Sequence, residues 1–302
     1  MHCENREAMQ DYKNSQWIKQ CEESFAQSIY DITEDICTKR NLRVIRLFGP
    51  SCSGKTTTAR HLISFFRKFA KKAHVISIDD FFYNRDKLKR LSAEKGLAEI
   101  DYDSPDTIDC EELESFIHDV FNESKVKCPV FDFKTGMRSG YKEMSVDDDD
   151  IFIFEGIQAV YPRVVEMFKK YDSASIYIVP QREVLAGGVC FEANEIRLMR
   201  RLVRDYNFRS TMPETTFVNW DGVRDNEEKN IFPYVEGSDY CVNSSMPYEV
   251  GVLKPYLIKI LENFDEGDVH YDTARYILER IELVEEIPSR LICEGYLYRE
   301  FV

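Results

Sequence analysis

Short apolar runs alternate with amphipathic stretches along most of this chain, and the alternation predicts its architecture. Residues 1–42 carry Ile18, Cys21, Phe25, Ile29, Ile32 and Ile36. That three-to-four spacing gives a helix one apolar face, docked on the main body. Lys39-Arg40-Asn41 closes it, with cations where the helix dipole is negative. From residue 44 the period changes. Strand-like runs fall at residues 44–48, 75–78, 129–133, 151–154, 176–179 and 240–242. Helical stretches lie between them, at 61–69 and at 111–121, where Leu113, Phe116, Ile117 and Val120 share a face. Ile151-Phe152-Ile153-Phe154 is apolar throughout, as a strand buried on both faces is. This alternation predicts an α/β chain with a mostly parallel sheet between helical layers. Beyond Pro247 the chain reads as helical, at 252–261 and 271–283. Asp147-Asp148-Asp149-Asp150 reads as a solvated turn before a strand. The expected organisation is an N-terminal helix over 1–42, a main domain over 43–250 and a helical extension over 251–302 packed against it.

The segment after the first strand carries chemistry. Gly49-Pro50-Ser51-Cys52-Ser53-Gly54-Lys55-Thr56 fits G-x-x-x-x-G-K-[ST] between a strand and a helix. Glycines let backbone N–H groups turn inward around phosphate oxygens, and the helix N-terminus adds its positive end. Lys55 is expected to bridge the β- and γ-phosphates, and the Thr56 hydroxyl to ligate Mg²⁺.

Ligands of parallel sheets bind at the carboxyl ends of the strands. Asp79-Asp80, Asp132 and Glu155 all fall at or near such ends. Glu155 is expected to organise the cation, through water. Asp79 or Asp80 is the candidate to accept a proton from an attacking hydroxyl. Further on, Arg197, Arg200, Arg201 and Arg204 recur at 3-1-3 spacing, an arc about 100° wide on a helix. Leu198, Met199, Leu202, Val203 and Tyr206 take the opposite side, with Asn194 as the N-cap and Arg209 just beyond the arc. This predicts a lid helix that presents its arginines to a transferred phosphoryl group.

Composition narrows the choice of partner. Against 54 Asp+Glu stand 40 Lys+Arg among 302 residues, a net charge of −14. Such a balance argues against a nucleic-acid or anionic-membrane binder. Hydrophobic residues at 43% exclude a disordered chain. No apolar run reaches the ~18 residues of a membrane span. The first residues, Met1 to Glu7, hold no apolar signal-peptide core. Nine cysteines without C-x-x-C spacing read as reduced thiols of a cytoplasmic protein, and five scattered histidines give no zinc pattern.

The order of motifs adds a resemblance. Residues 49–56 are followed by Asp79-Asp80-Phe81-Phe82, Tyr102-Asp103-Ser104-Pro105-Asp106, Phe131-Asp132-Phe133, Phe154-Glu155-Gly156-Ile157 and the arginine helix. Over residues 43–302 this resembles the uridine kinase/phosphoribulokinase family, the uridine kinase branch most closely. Phe131-Asp132-Phe133-Lys134-Thr135-Gly136, Arg138, Ile231-Phe232-Pro233-Tyr234, Asn243-Ser244 and Arg299-Glu300-Phe301 are similar to a narrower sub-branch. In that sub-branch such domains are often fused behind threonyl-tRNA-synthetase-like modules, which are not expected in the 42 residues before this region.

The resemblance implies a three-layer P-loop kinase fold with a helical lid and a C-terminal helical extension. It implies ATP and Mg²⁺ as cofactors and phosphorylation of a nucleoside 5′-hydroxyl. Asp79, rather than Asp80, aligns with the catalytic base, with Lys55, Arg201 and Arg204 beside it. Residues 49–57, Arg204 and Arg209 would hold the nucleotide. Asp103 would hold the ribose hydroxyls, and Phe82, Phe131, Arg138 and Arg201 would line the acceptor pocket. Three positions depart from the family. Phe131 replaces a tyrosine and Gly136 a histidine of the pyrimidine-reading pair, and Ser210 breaks an R-G-R after the lid helix. A kinase of another small hydroxylated metabolite, or a nucleotide-binding regulatory module, stays open, as do GTP as donor and a homo-oligomeric state.

Overall fold

The computed structural model describes residues 2–96 and 100–302. Helix α1 (His2–Thr38) leads into β1 (Val44–Phe48), a loop, and α2 (Lys55–Lys68). Next come β2 (Ala73–Ser77), a 3-10 turn (Ile78–Phe81), α3 (Arg85–Glu94) and α4 (Cys110–Asn122). Strands β3 (Lys125–Asp132) and β4 (Met137–Ser145) precede β5 (Ile151–Glu155), a second 3-10 turn (Ile157–Val160) and α5 (Pro162–Phe168). Then follow β6 (Ser173–Val179), β7 (Val184–Ala186), β8 (Val189–Phe191), α6 (Ala193–Arg209) and α7 (Pro213–Asn230). Strand β9 (Tyr240–Asn243), α8 (Glu249–Leu261), α9 (Tyr271–Glu282) and a 3-10 turn (Leu297–Glu300) complete the order.

Five strands form one parallel sheet in the order β2-β5-β1-β6-β9. Both faces are buried, and the side chains alternate between two cores. Ile45, Leu47, Ile153, Ile176 and Ile178 pack under α1, α2, α6 and α8. Val44, Phe48, Phe152, Phe154 and Tyr177 pack under α4 and α5. On α1, Ile18, Phe25, Ile29 and Ile36 are buried as their spacing predicts, while Cys21 and Ile32 are half-buried. Burying four such side chains supplies about 1.5–3 kcal/mol each to its docking. Among the described residues no helix is long and apolar enough to cross a membrane.

Several expectations are corrected. Residues 129–133 belong to the β3–β4 antiparallel hairpin, outside the parallel sheet. A lone apolar run cannot reveal which sheet it joins. Strand β2 stops at Ser77, and Ile78 enters the 3-10 turn. Asp150 is buried and receives His74 and Lys72, so only the first three aspartates of that run are solvated. Helix α6 is capped by Glu192 and Glu195 in a reciprocal capping box, not by Asn194.

Candidate active site

Register brings the motifs together. Leu47 on β1 and Ser77 on β2 both sit beside Glu155 of β5. The chain leaves β1 and β2 within two residues of those points, so the loop at 49–56, Asp79 and Glu155 share the carboxyl end of the sheet. Gly49 has no room for a side chain, because a Cβ there would lie 2.1 Å from the Ile178 carbonyl oxygen. Gly54 takes φ +96° and abuts Leu297, so the turn into α2 also requires glycine. Lys55 Nζ donates to the carbonyls of Gly49 and Pro50 at 3.0 and 3.1 Å. The ammonium thus folds back over its own loop. Thr56 is exposed at the mouth, and Thr57 is buried.

The two aspartates of the 3-10 turn differ in their partners. Asp79 Oδ1 accepts from Gln158 Nε2 at 2.9 Å, whereas Asp80 Oδ1 accepts from the Phe131 N–H at 2.9 Å. Asp80 therefore anchors the β3–β4 hairpin, and Asp79 faces the cations. Burial pushes the Asp79 carboxyl up, while Gln158, Lys55 and Arg209 pull it down. Glu155 is pushed up to about 7, by burial first and then by Asp79, Glu300 and Asp80 against the pull of Lys55. Asp103 is pushed up to about 6 by burial, with Arg201 opposing. Asp132 lies at the hairpin turn, half-buried, and accepts from the Lys134 N–H at 2.9 Å. It caps the turn and stays out of this group.

Beside Asp103 stands an aromatic cluster. Phe82 contacts Tyr102, Phe131 and Phe133 at centroid distances of 5.6, 5.6 and 6.1 Å. Phe131 is buried, but Phe133 is 54% exposed. Arg138 is committed elsewhere. Its guanidinium pairs with Glu112 at 3.3 Å and Asp109 at 3.7 Å, at the N-terminus of α4. Gly136 has φ +68°, and a Cβ there would meet Arg85 Nε at 2.4 Å. A side chain at that position would be strained by the backbone and would have to displace Arg85.

Residues 44–249 match the profile of the Phosphoribulokinase / Uridine kinase family. The chain belongs to this family. A uridine kinase of Ureaplasma parvum serovar 3 is 29% identical over 178 residues, covering 59% of this chain and 75% of the relative. Uridine-cytidine kinase C of Dictyostelium discoideum is 25% identical over 244 residues, covering 80% of this chain but 47% of the relative. Among solved structures, that of the YGR205w protein superposes with a TM-score of 0.51 at 18% identity, covering 73% of this chain and 89% of that one. It is similar in fold.

The arginine helix of this family member is not the expected open face. Arg197 and Arg200 are buried. Arg197 pairs with Glu227 of α7 and donates from Nε to the Ser51 carbonyl at 3.2 Å. Arg200 Nε donates to Glu249 at 2.9 Å and to the Tyr298 hydroxyl at 2.8 Å. Its Nη1 reaches the Cys52 carbonyl at 3.1 Å, and its Nη2 the Ser244 carbonyl at 2.7 Å. Both guanidiniums brace the phosphate loop from below. The reason lies on other helices, since α7 and α8 bring the two buried glutamates. Arg201, Arg204 and Arg209 share Asp205, at 3.3, 2.7 and 3.7 Å. Arg201 and Arg204 are mostly covered, and Arg209 is 59% exposed. Of these, Arg201 acts electrostatically on Asp103, and Arg209 on Asp79.

Two residues of the site carry roles that the sequence did not assign, although Glu300 stands in the Arg299-Glu300-Phe301 motif. Gln158 is a glutamine inside an apolar run, and only a buried amide in an apolar context hinted at it. Glu300 accepts from the Thr57 hydroxyl at 2.8 Å and the Thr57 N–H at 3.4 Å. Its sequence distance from the loop hid it.

Proposed function

We propose that this family member transfers the γ-phosphoryl group of ATP to the 5′-hydroxyl of a ribonucleoside. The observation that carries this reading is the grouping of Asp79, Lys55 and Asp103 beside the half-open Phe82–Phe133 aromatic cluster. Asp79 would accept the hydroxyl proton while the oxygen attacks phosphorus. One P–O bond forms, the β–γ bridging bond breaks, and ADP departs. Asp103 suits a vicinal diol, and an aromatic face suits a base.

The nucleotide would lie in the loop at 49–57, with its phosphates on backbone N–H groups and Lys55, and with Arg204 and Arg209 nearby. The residues present fit a divalent cation. Glu155 is raised by burial first and then by three neighbouring carboxylates, a repulsion that a cation would relieve. Thr56 and, through water, Glu155 would hold Mg²⁺, which would supply positive charge to offset that of the phosphates.

Base selectivity is expected to be relaxed. Phe131 lacks a hydroxyl, Gly136 offers no side chain, and Arg138 is engaged with Asp109 and Glu112. Two lost hydrogen bonds of about 0.5–1.5 kcal/mol each amount to roughly fivefold to 150-fold in discrimination. The test is ADP release across ribonucleosides, 2′-deoxynucleosides, sugar phosphates and pantothenate-like compounds. Ribonucleosides should exceed their deoxy analogues, with uridine not dominant. Turnover only on a non-nucleoside acceptor would overturn the reading.

A further inference from the structure

We propose that Gln158 is the positioning residue for Asp79, fixing which carboxylate oxygen is offered to the acceptor hydroxyl. The inference rests on the reading of Asp79 as the base and deepens it.

Gln158 is 1% exposed, in the 3-10 turn that follows β5. Its backbone is locked there, because its carbonyl accepts from the Tyr161 N–H at 3.0 Å. Among the described residues, Gln158 Nε2 is the one donor that hydrogen-bonds the Asp79 carboxylate, at 2.9 Å to Oδ1. With Oδ1 pinned, Oδ2 is the oxygen left to take a proton. The other end of the amide is costly to keep. Its Oε1 is buried and has no hydrogen-bond partner among the described residues. Space for that oxygen exists because residue 156 is glycine, where a Cβ would lie 2.6 Å from it. An apolar side chain of similar volume would fill the same space without an orphaned oxygen. The amide is therefore explained by its one bond, the bond to Asp79.

Charge alone does not orient Asp79. Lys55 of α2 and Arg209 at the end of α6 favour its ionised form. Asp80 on the same turn, Asp103 on the neighbouring loop and Glu155 of β5 oppose it, while the nearby Tyr161 hydroxyl is spent on the Asp103 carbonyl. These fields act on the carboxylate as a whole. The Gln158 N–H is short-ranged and directional, so it selects one oxygen.

The test uses the full chain with Gln158→Met, which keeps volume and removes the donor, and with the isosteric Gln158→Glu. MgATP affinity of Gln158→Met, which is neutral like the wild type, should stay unchanged when read by thermal shift. Turnover should fall about tenfold to 150-fold, the worth of a hydrogen bond to a charged group. The acidic limb of the kcat profile should move to higher pH, because the ionised carboxylate loses its donor. Gln158→Glu should move it further. If Gln158→Met does not fold, Gln158→Glu decides by the same limb. A profile and kcat within twofold of wild type, with Asp79→Asn inactive, would overturn the positioning role. Full turnover in Asp79→Asn would instead remove the base reading and this inference together.

Discussion

Replacing Arg200 by methionine should unfold this protein at a much lower temperature, although the residue sits on the helix expected to act on phosphate. Arg200 is fully buried and donates to Glu249, Tyr298 and the carbonyls of Cys52 and Ser244. Glu249 is equally buried, and its other hydrogen bond comes from the Met246 N–H. Removing one partner of such a pair leaves an uncompensated charge, at a cost of about 3–5 kcal/mol. For a chain of this size that lowers Tm by about 6–20 °C. The loss should depend on pH, and its sign follows from Glu249. Burial already raises that carboxyl, and Arg200 holds it down. Without Arg200 the folded-state value rises further above the unfolded one. The native state then holds a proton that the unfolded chain gives up, so stability falls as pH rises. Arg200→Met should therefore be less destabilised near pH 5 than near pH 8. Glu249→Gln on the same background should recover part of the loss, which a double-mutant cycle by thermal unfolding would measure. A variant melting within about 2 °C of wild type, with turnover lost, would refute this reasoning and return Arg200 to the reacting phosphate.

Three further outcomes are expected. Lys55→Ala should abolish the MgATP-induced rise in melting temperature, which for wild type corresponds to about 2.7 kcal/mol at a hundredfold excess over Kd; equal shifts would count against the phosphate loop. Glu300→Gln should bind MgATP more tightly than wild type, because it removes a negative charge from the Thr57 N–H and hydroxyl; titration calorimetry showing weaker binding would make Glu300 a supporting residue instead. The ligand-free protein should lose stability as pH rises from about 4.5 to 7, since the raised Glu155 makes the native state bind more protons than the unfolded one over that window; Glu155→Gln should flatten this slope in pH-dependent denaturation, and an unchanged slope would assign it to other groups.

The parts of this molecule legible in its sequence are those written locally. The strands β1, β5 and β6 declare themselves by apolar runs, and the phosphate loop by glycine spacing beside a lysine. Asp79 was separable from Asp80 only by motif alignment; the structure adds a physical distinction, because Asp80 is bonded to the Phe131 backbone and Asp79 to Gln158. The arginine helix shows where local reading stops. Helical spacing correctly puts Arg197 and Arg200 on one side, but solvent is not what that side meets. Glu227 and Glu249 come from helices 30 and 49 residues away in the chain. The β3–β4 hairpin was misjudged for the same reason. Its residues alternate like any strand, and only its partner makes it antiparallel.

What distinguishes this site from a bare phosphate loop is its support from outside residues 44–249, the part that matches the family. Glu22 of α1 accepts from the Tyr248 hydroxyl and from the Leu297 N–H. Leu297 packs against the Gly54 turn, and Tyr298 accepts from Arg200, which in turn holds the Cys52 carbonyl. One residue beyond Arg299, Glu300 reaches Thr57 at the start of α2. The helix before the sheet and the turn near residue 300 therefore meet on the same few backbone groups. Glu22 carries a raised carboxyl, pushed up by burial and held down by Tyr248, Leu297 and Arg200. It is a buried acid whose partners are all parts of the brace. Cutting that acid out should loosen the Leu297–Glu300 turn, and with it the position of a carboxylate directly on the start of α2. The loop is thus held by two guanidiniums on one side and by this turn on the other, and the shape it offers to a phosphate depends on both.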